Sequence, residues 1–229
     1  MVELKNISIL CLILVLLFQT DIAFAEELRL CKNPKAKQAV LNSRAEYSEE
    51  KLESYFESYR YKLKHLDFKN KKNVAELRLL HLARPIEVSK ILVEKSKRQL
   101  HLLANDGVIR SYFISLGFSP LGHKIKEGDG KTPEGLYAID FKNIHSAYYL
   151  ALRISYPNEK DEARAEALDV SPGGFIMIHG FPEDKEERVE AIKSHGKKDW
   201  TQGCMGLTDL EIEEIFSLVD EGAEIEICP

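Results

Sequence analysis

The residues best suited to chemistry are His179 and Cys204, the two ends of the 26-residue stretch HGFPEDKEERVEAIKSHGKKDWTQGC. A thiol is mostly protonated at neutral pH. It becomes a useful nucleophile when a base or a positive field adjoins it. The apolar residues 174–178 lead into His179-Gly180, the pattern of a strand that delivers a histidine. Cys204 follows Gly203 and stands four residues before Thr208, a helix start. Glycine permits a tight turn, which would aim backbone N–H groups at a developing oxyanion. A nearby helix N-terminus favours a thiolate. Taken singly, Cys204 reads equally as a buried structural thiol and His179 as a packed structural histidine. Their combination favours nucleophile and base.

Other polar residues surround this pair. Trp200 and Thr201 precede the cysteine: Trp200 suits a pocket wall and Thr201 a hydrogen bond within it, and both also suit ordinary packing. Gln202 can hydrogen-bond but cannot titrate. His123 lies in a glycine-rich loop and is a candidate for a substrate groove. His195, between Ser194 and Gly196, reads as surface loop. His179, His195 and Cys204 are proper zinc ligands by type. Their spacing matches no compact metal motif, so no metal or organic cofactor is expected.

The elements that must position these residues form an α+β fold. Leu52, Tyr55, Phe56, Tyr59, Leu63 and Leu66 recur at spacings of three and four, one stripe of an amphipathic helix with Ser48 as N-cap. A shorter helical pattern spans residues 73–83 and ends before Pro85. From residue 86 the texture becomes β-rich. Strands are expected over 86–95, 99–104 and 108–116, with a tight turn at Asn105-Asp106-Gly107. Five glycines and two prolines make 117–135 a loop. Further strands are read at 136–141, 148–156, 175–178 and 223–228. Residues 157–168 read as a solvated helical excursion and 182–194 as an acidic, helix-favouring insert. Thr208 and Glu211 form a capping box for a helix that runs to Gly222.

Residues 1–25 read as a signal peptide: Lys5, an apolar run over 7–18, then Ala23-Phe24-Ala25 as a cleavage site. About 12 apolar residues are too few to span a bilayer, which takes roughly 20. Membrane attachment would need this segment to stay uncleaved. The division is 1–25 signal peptide, 26–85 helical N-terminal segment and 86–229 catalytic domain. The segment 26–85 reads as a helical appendage packed on the domain or as a partner-docking arm. Without residues 1–25, which hold Lys5, Glu3 and Asp21, the net charge is −4. That balance gives no electrostatic case for a nucleic-acid partner. With 44% hydrophobic residues the chain can bury a real core.

Two segments resemble the L,D-transpeptidase catalytic domain family, the YkuD domain. One is Gly128-Asp-Gly-Lys-Thr-Pro-Glu-Gly-Leu-Tyr-Ala-Ile139; the other is Ile178-His179-Gly180 with Gly203-Cys204 downstream. The resemblance covers residues 86–229. It implies Cys204 as nucleophile, His179 as base, the Gly180 carbonyl orienting the imidazole, and Gly203 and Cys204 N–H groups facing the oxyanion. It further implies periplasmic acyl transfer on peptidoglycan stem peptides, in cell-wall biogenesis and cell shape. The thioester would pass to an amine, giving a 3–3 cross-link or a protein anchor, or to water. Gln202 stands where many members carry a second histidine. The run Asp199-Trp-Thr-Gln-Gly-Cys204 instead is similar to the YafK-like branch, some of whose members release a murein-bound lipoprotein or hydrolyse stem peptides. Two other classes stay open: a catalytically silent peptidoglycan-binding protein of the same fold, and an exported cysteine peptidase.

Four cysteines are present, and Cys11 would leave with the signal. Three remain, so one must be free or bond elsewhere. Cys31 and Cys228 lie near the two ends of the mature chain, and domain termini often meet. Their pairing leaves Cys204 free. Thiol titration of the denatured, unreduced mature protein should find one thiol; three would remove the pairing.

Overall fold

The structure is a computed structural model that describes residues 29–66, 71–104 and 107–229. The expected signal segment, and Asn105 and Asp106 of the expected turn, lie outside the described residues. The chain divides into two compact units, one ending at Ala39 and one spanning Val40–Pro229. Asn33 Oδ1 accepts the Ala36 N–H at 3.0 Å and starts helix α1, Pro34–Asn42. Cys31 and Cys228 are disulfide-bonded, and Cys204 is the free cysteine among the described residues.

The second unit holds an eight-stranded sheet. Its strands are β1 Lys90–Glu94, β2 Gln99–Ala104, β3 Gly107–Phe113, β4 Gly135–Ser146, β5 Tyr149–Ile154, β6 Met177–His179, β7 Met205–Gly206 and β8 Glu224–Cys228. They lie in the order β3-β2-β1-β8-β4-β5-β6-β7. The first three strands form the expected antiparallel meander. The last strand then inserts between β1, to which it is parallel, and β4, to which it is antiparallel. With helices α2 Glu49–Lys64, α3 Lys71–Leu82, α4 Glu159–Glu166, α5 Lys185–Ser194 and α6 Asp209–Leu218, the fold is α+β as expected.

Several elements depart from their sequence patterns for local reasons. The strand before the histidine is shorter than read, because Phe175 sits in the left-handed region at φ 55° and breaks the extended run. The helix α6 stops at Leu218, where Val219 turns to extended backbone, four residues short of Gly222. The excursion around α4 is anchored as well as solvated. Asp161 is buried, accepts a hydrogen bond from Tyr137 Oη at 2.9 Å, and faces His123 Nε2 at 2.9 Å. The capping box Thr208/Glu211 forms as read, with Glu211 N–H donating to Thr208 Oγ1 at 3.3 Å and Thr208 N–H to Glu211 Oε2 at 2.9 Å.

The helix α2 belongs to the same core as the sheet. Ser48 caps it, and its stripe Leu52, Tyr55, Phe56, Tyr59 and Leu63 is buried in one cluster with Ile91, Leu100, Ile109, Ile215 and Phe216. Polar contacts fix its pose on α6. Tyr55 Oη donates to the Ser217 carbonyl at 2.9 Å, and Arg60 pairs with Glu213 at 3.3 Å and Glu214 at 2.7 Å. Removing a fully buried aromatic costs transfer energy plus a cavity. Phe56→Ala should therefore lower the urea-unfolding free energy by about 3–5 kcal/mol. A loss below about 1 kcal/mol would mean that α2 is dispensable to the core.

Candidate active site

Strand pairing brings the two chemical residues together. Ile178 pairs with Met205 and His179 with Gly206, in parallel. Cys204, one residue before Met205, therefore stands level with Met177, and residues 177 and 179 share a sheet face. The register puts the thiol and the imidazole on one side. Both line a pocket of about 750 Å³, walled also by Tyr148, Phe175, Met177 and Trp200.

Each member has defined neighbours. His179 is 3% exposed, and its Nδ1 donates to the Gly180 carbonyl at 2.7 Å. That bond selects the tautomer with a bare Nε2, the form that can accept a proton. Tyr148 lies against the imidazole with ring centroids 4.5 Å apart, and Trp200 meets it edge-on at 5.7 Å. Cys204 Sγ donates to the Phe175 carbonyl at 3.6 Å and receives the Met177 N–H. His179 is not hydrogen-bonded to the sulfur in this resting arrangement.

The electrostatics agree with a neutral pair at rest. Burial pushes the Cys204 thiol up to about 11, with the Met177 N–H and Lys124 opposing this. Burial pushes His179 down to about 4, with the Gly180 carbonyl opposing. A desolvated site disfavours the charged form of each group. At neutral pH the proton therefore rests on sulfur and the imidazole is neutral.

The turn that carries the cysteine is clamped from within. Thr201 is buried; its Oγ1 donates to the Cys204 carbonyl at 2.7 Å and accepts the Gly203 N–H at 3.1 Å. Both hydroxyl contacts serve the turn itself. The expected oxyanion donor Gly203 thus has its N–H occupied. Its glycine identity answers a steric need instead. At φ 137°, a Cβ there would lie 2.7 Å from the Lys131 carbonyl. A Cβ on Gly117 would meet the Gly130 carbonyl at 2.2 Å. The loop of residues 128–135 therefore buttresses the cysteine turn at backbone distance. Asp129 holds that loop by accepting the Ile125, Lys126 and Lys131 N–H groups at 2.8–3.1 Å and pairing with Lys124 at 2.9 Å. These donors hold its carboxyl down at about 2 despite partial burial.

The remaining expected residues separate. Trp200 and Gln202 line the pocket beside Cys204. His123 does not: Nδ1 accepts the Glu134 N–H at 3.0 Å while Nε2 faces Asp161, so it ties the glycine-rich loop to α4. Nor is His195 a surface loop residue. It caps α5, meets Phe113 and Phe181 edge-on, contacts Ser115 Oγ at 3.2 Å, and is pushed below its usual value by burial. Among the described residues no group of three or more His, Cys, Asp or Glu is placed to hold a metal ion. Sequence reading missed Tyr148, Phe175 and the Met177 N–H. An aromatic pair at 148–149 and an apolar strand carry no local signal of a pocket.

A free cysteine and a backbone-oriented imidazole thus line one pocket. The family model of the L,D-transpeptidase catalytic domain, YkuD, matches residues 89–227, and the chain belongs to that family. It is 30% identical over 135 residues to "Putative L,D-transpeptidase YafK" of Escherichia coli K12, covering 56% of this chain and 46% of that one. The chain thus spans about half the length of the curated relatives it matches. Among solved structures, it is similar to the helical cell shape determining protein Pgp2 of Campylobacter jejuni, with 30% identity, TM-score 0.46, and 61% and 47% of the two chains covered. An L,D-transpeptidase from Mycobacterium smegmatis aligns at 14% identity and TM-score 0.41, covering 64% and 60%.

The charge state of the resting pair can be read by alkylation. With a thiol at about 11, the iodoacetamide rate at Cys204 should rise roughly tenfold per unit from about pH 7 to about pH 9.5, without a plateau. A rate independent of pH over that range would mean a preformed thiolate–imidazolium pair.

Proposed function

We propose that this protein is a cysteine acyltransferase or hydrolase acting in the periplasm on peptidoglycan stem peptides. The carrying observation is the parallel register that puts Cys204 and the Gly180-bound His179 on one face of one pocket. Family membership supports the substrate class.

The geometry suggests the order of events. Substrate displaces the sulfur from the Phe175 carbonyl, and Cys204 Sγ turns towards His179. The sulfur attacks the carbonyl carbon while Nε2 takes the thiol proton, so charge develops only as the bond forms. The Cys204 N–H is left to face the oxyanion, since the Gly203 N–H is held by Thr201. The imidazolium then protonates the departing amine, leaving a thioester on Cys204. An amine or water attacks the thioester, His179 accepts its proton, and the thiol is restored. Trp200, Gln202 and Thr201 form the wall on the cysteine side. A murein-linked lipoprotein fits the same chemistry as a substrate, because its attachment is also an amide on the stem.

A second reading is a wall-binding protein without turnover. The parked sulfur favours it, as does Gln202 in place of a titratable residue. Muropeptide profiles of purified sacculi separate the two. The mature protein should change the profile, Cys204→Ala should abolish the change, and His179→Ala should reduce the rate by at least about 100-fold. New 3–3 dimers would mean transfer; shortened stems or released protein would mean hydrolysis. Wild-type rates in either variant would remove that residue from the mechanism.

A further inference from the structure

The insert between the two chemical residues carries charge into the pocket. Helix α5 contributes Glu186, Glu187 and Glu190 to its lining. Glu190 stands four residues after Glu186 and three after Glu187, so it neighbours both on the helix surface. Lysine and arginine are absent from the lining. Arg188, on another face of α5, pairs with Asp209 and lies over the Phe181 ring. The Glu190 carboxylate is shared with Lys198 at 3.1 Å, both well exposed. The carboxylates of Glu186 and Glu187 have no ion-pair partner among the described residues.

Two observations show that this charge faces a ligand-binding space. His179 is 97% buried, since it is 3% exposed, and it lines the same pocket. Its Nδ1 is used by Gly180, and Nε2 has no hydrogen-bond partner among the described residues. Inside the pocket, the Glu187 charge helps raise the Tyr148 hydroxyl above its usual value, after burial. That ring lies tilted against His179. The two carboxylates are exposed, so their field at the thiol is set by ionic strength.

We propose that the Glu186/Glu187 face of α5 selects substrate by charge, and that the segment bound against it carries a protonated primary amine. The proposal rests on the stem-peptide reading above. Within it, the amine is the free side-chain amine of a diamino residue. A stem presenting only carboxylates to this face is repelled. An acidic neighbourhood keeps an amine protonated, so the group held there is a binding handle and not the attacking nucleophile. This makes α5 a specificity element.

The test reads charge at Cys204 without needing turnover. Wild type and Glu186→Gln/Glu187→Gln are modified with a cationic trimethylammonium-ethyl methanethiosulfonate and with its anionic sulfonatoethyl counterpart, with Cys204→Ala as the blank. The cationic-to-anionic rate ratio is divided by that of a small free thiol. In wild type it should exceed one, shrink with added salt, and fall about tenfold in the double variant. Both glutamates are exposed and glutamine is a comparable helix former, so the variant should fold. A ratio unchanged by the double substitution overturns the proposal. In a second arm, muropeptides are supplied before and after acetylation of their free amines. Acetylation should lower wild-type kcat/KM at least about fivefold and leave the double variant nearly unaffected; an equal drop in both proteins also overturns it. Turnover of neither substrate would remove the enzymatic reading, while the charge ratio still decides the role of α5.

Discussion

Two pairs of parallel strand residues, Ile178 with Met205 and His179 with Gly206, are the constraint on which the site depends. Side chains alternate across a strand, so a one-residue slip would send the thiol to the opposite face from the imidazole. So short a ladder cannot hold its own register. It is held from outside: Ser115 exchanges two backbone hydrogen bonds with Gly206 at 2.9 and 2.8 Å, and the Thr201 N–H reaches the Leu116 carbonyl at 3.1 Å. A parallel connection also needs a crossover of a dozen or more residues. The insert with α5 fills that requirement and, in crossing, presents its acidic face to the pocket.

Glycines at backbone contacts complete the support. The loop of residues 128–135 approaches Gly117 and Gly203 so closely that a Cβ has no room at either position. Close-packed backbone transmits position faithfully, because neither side can relax without the other. The loop is itself fixed at Asp129 by three N–H donors and Lys124, and at Thr132, whose carbonyl accepts Lys95 Nζ at 2.8 Å. On the other side, α6, capped by Thr208, follows β7 and packs on α2. A displacement of α2 is therefore felt by the element that follows the cysteine.

The site combines strong placement with weak resting activation. The thiol is held up and the imidazole down by the same cause, removal from water. Such a pair reacts slowly with solvent-borne electrophiles near neutral pH. In the proposed mechanism it becomes competent only when a carbonyl lies where sulfur can attack while His179 takes the proton. Phe175 contributes to both conditions. It sits at φ 55° with its side chain 73% exposed at the pocket rim, and its carbonyl holds the thiol proton. Backbone in that region is uncommon for a bulky residue and concentrates at functional sites.

Much of this was legible in the chain. The α2 stripe, the meander, the capping box at Thr208 and the His179/Cys204 pair all rest on local chemistry, with periods of 3.6 or 2, glycine turns and cap hydrogen bonds. The order of strands beyond the meander was not, because β8 enters between β1 and β4 through contacts distant in sequence. His123 and His195 were misplaced for the same reason. A lone histidine in a polar stretch looks alike whether it tethers a loop to Asp161 or packs between two phenylalanines. The sequence by itself determined which residues could do chemistry, since thiol and imidazole reactivity belongs to the side chains. Only the tertiary structure decided that Gly203 serves sterics, that Thr201 clamps the turn, that Tyr148 and Phe175 border the pair, and that both chemical groups rest neutral. Those outcomes depend on register, burial and backbone contact across the sheet, which no local pattern encodes.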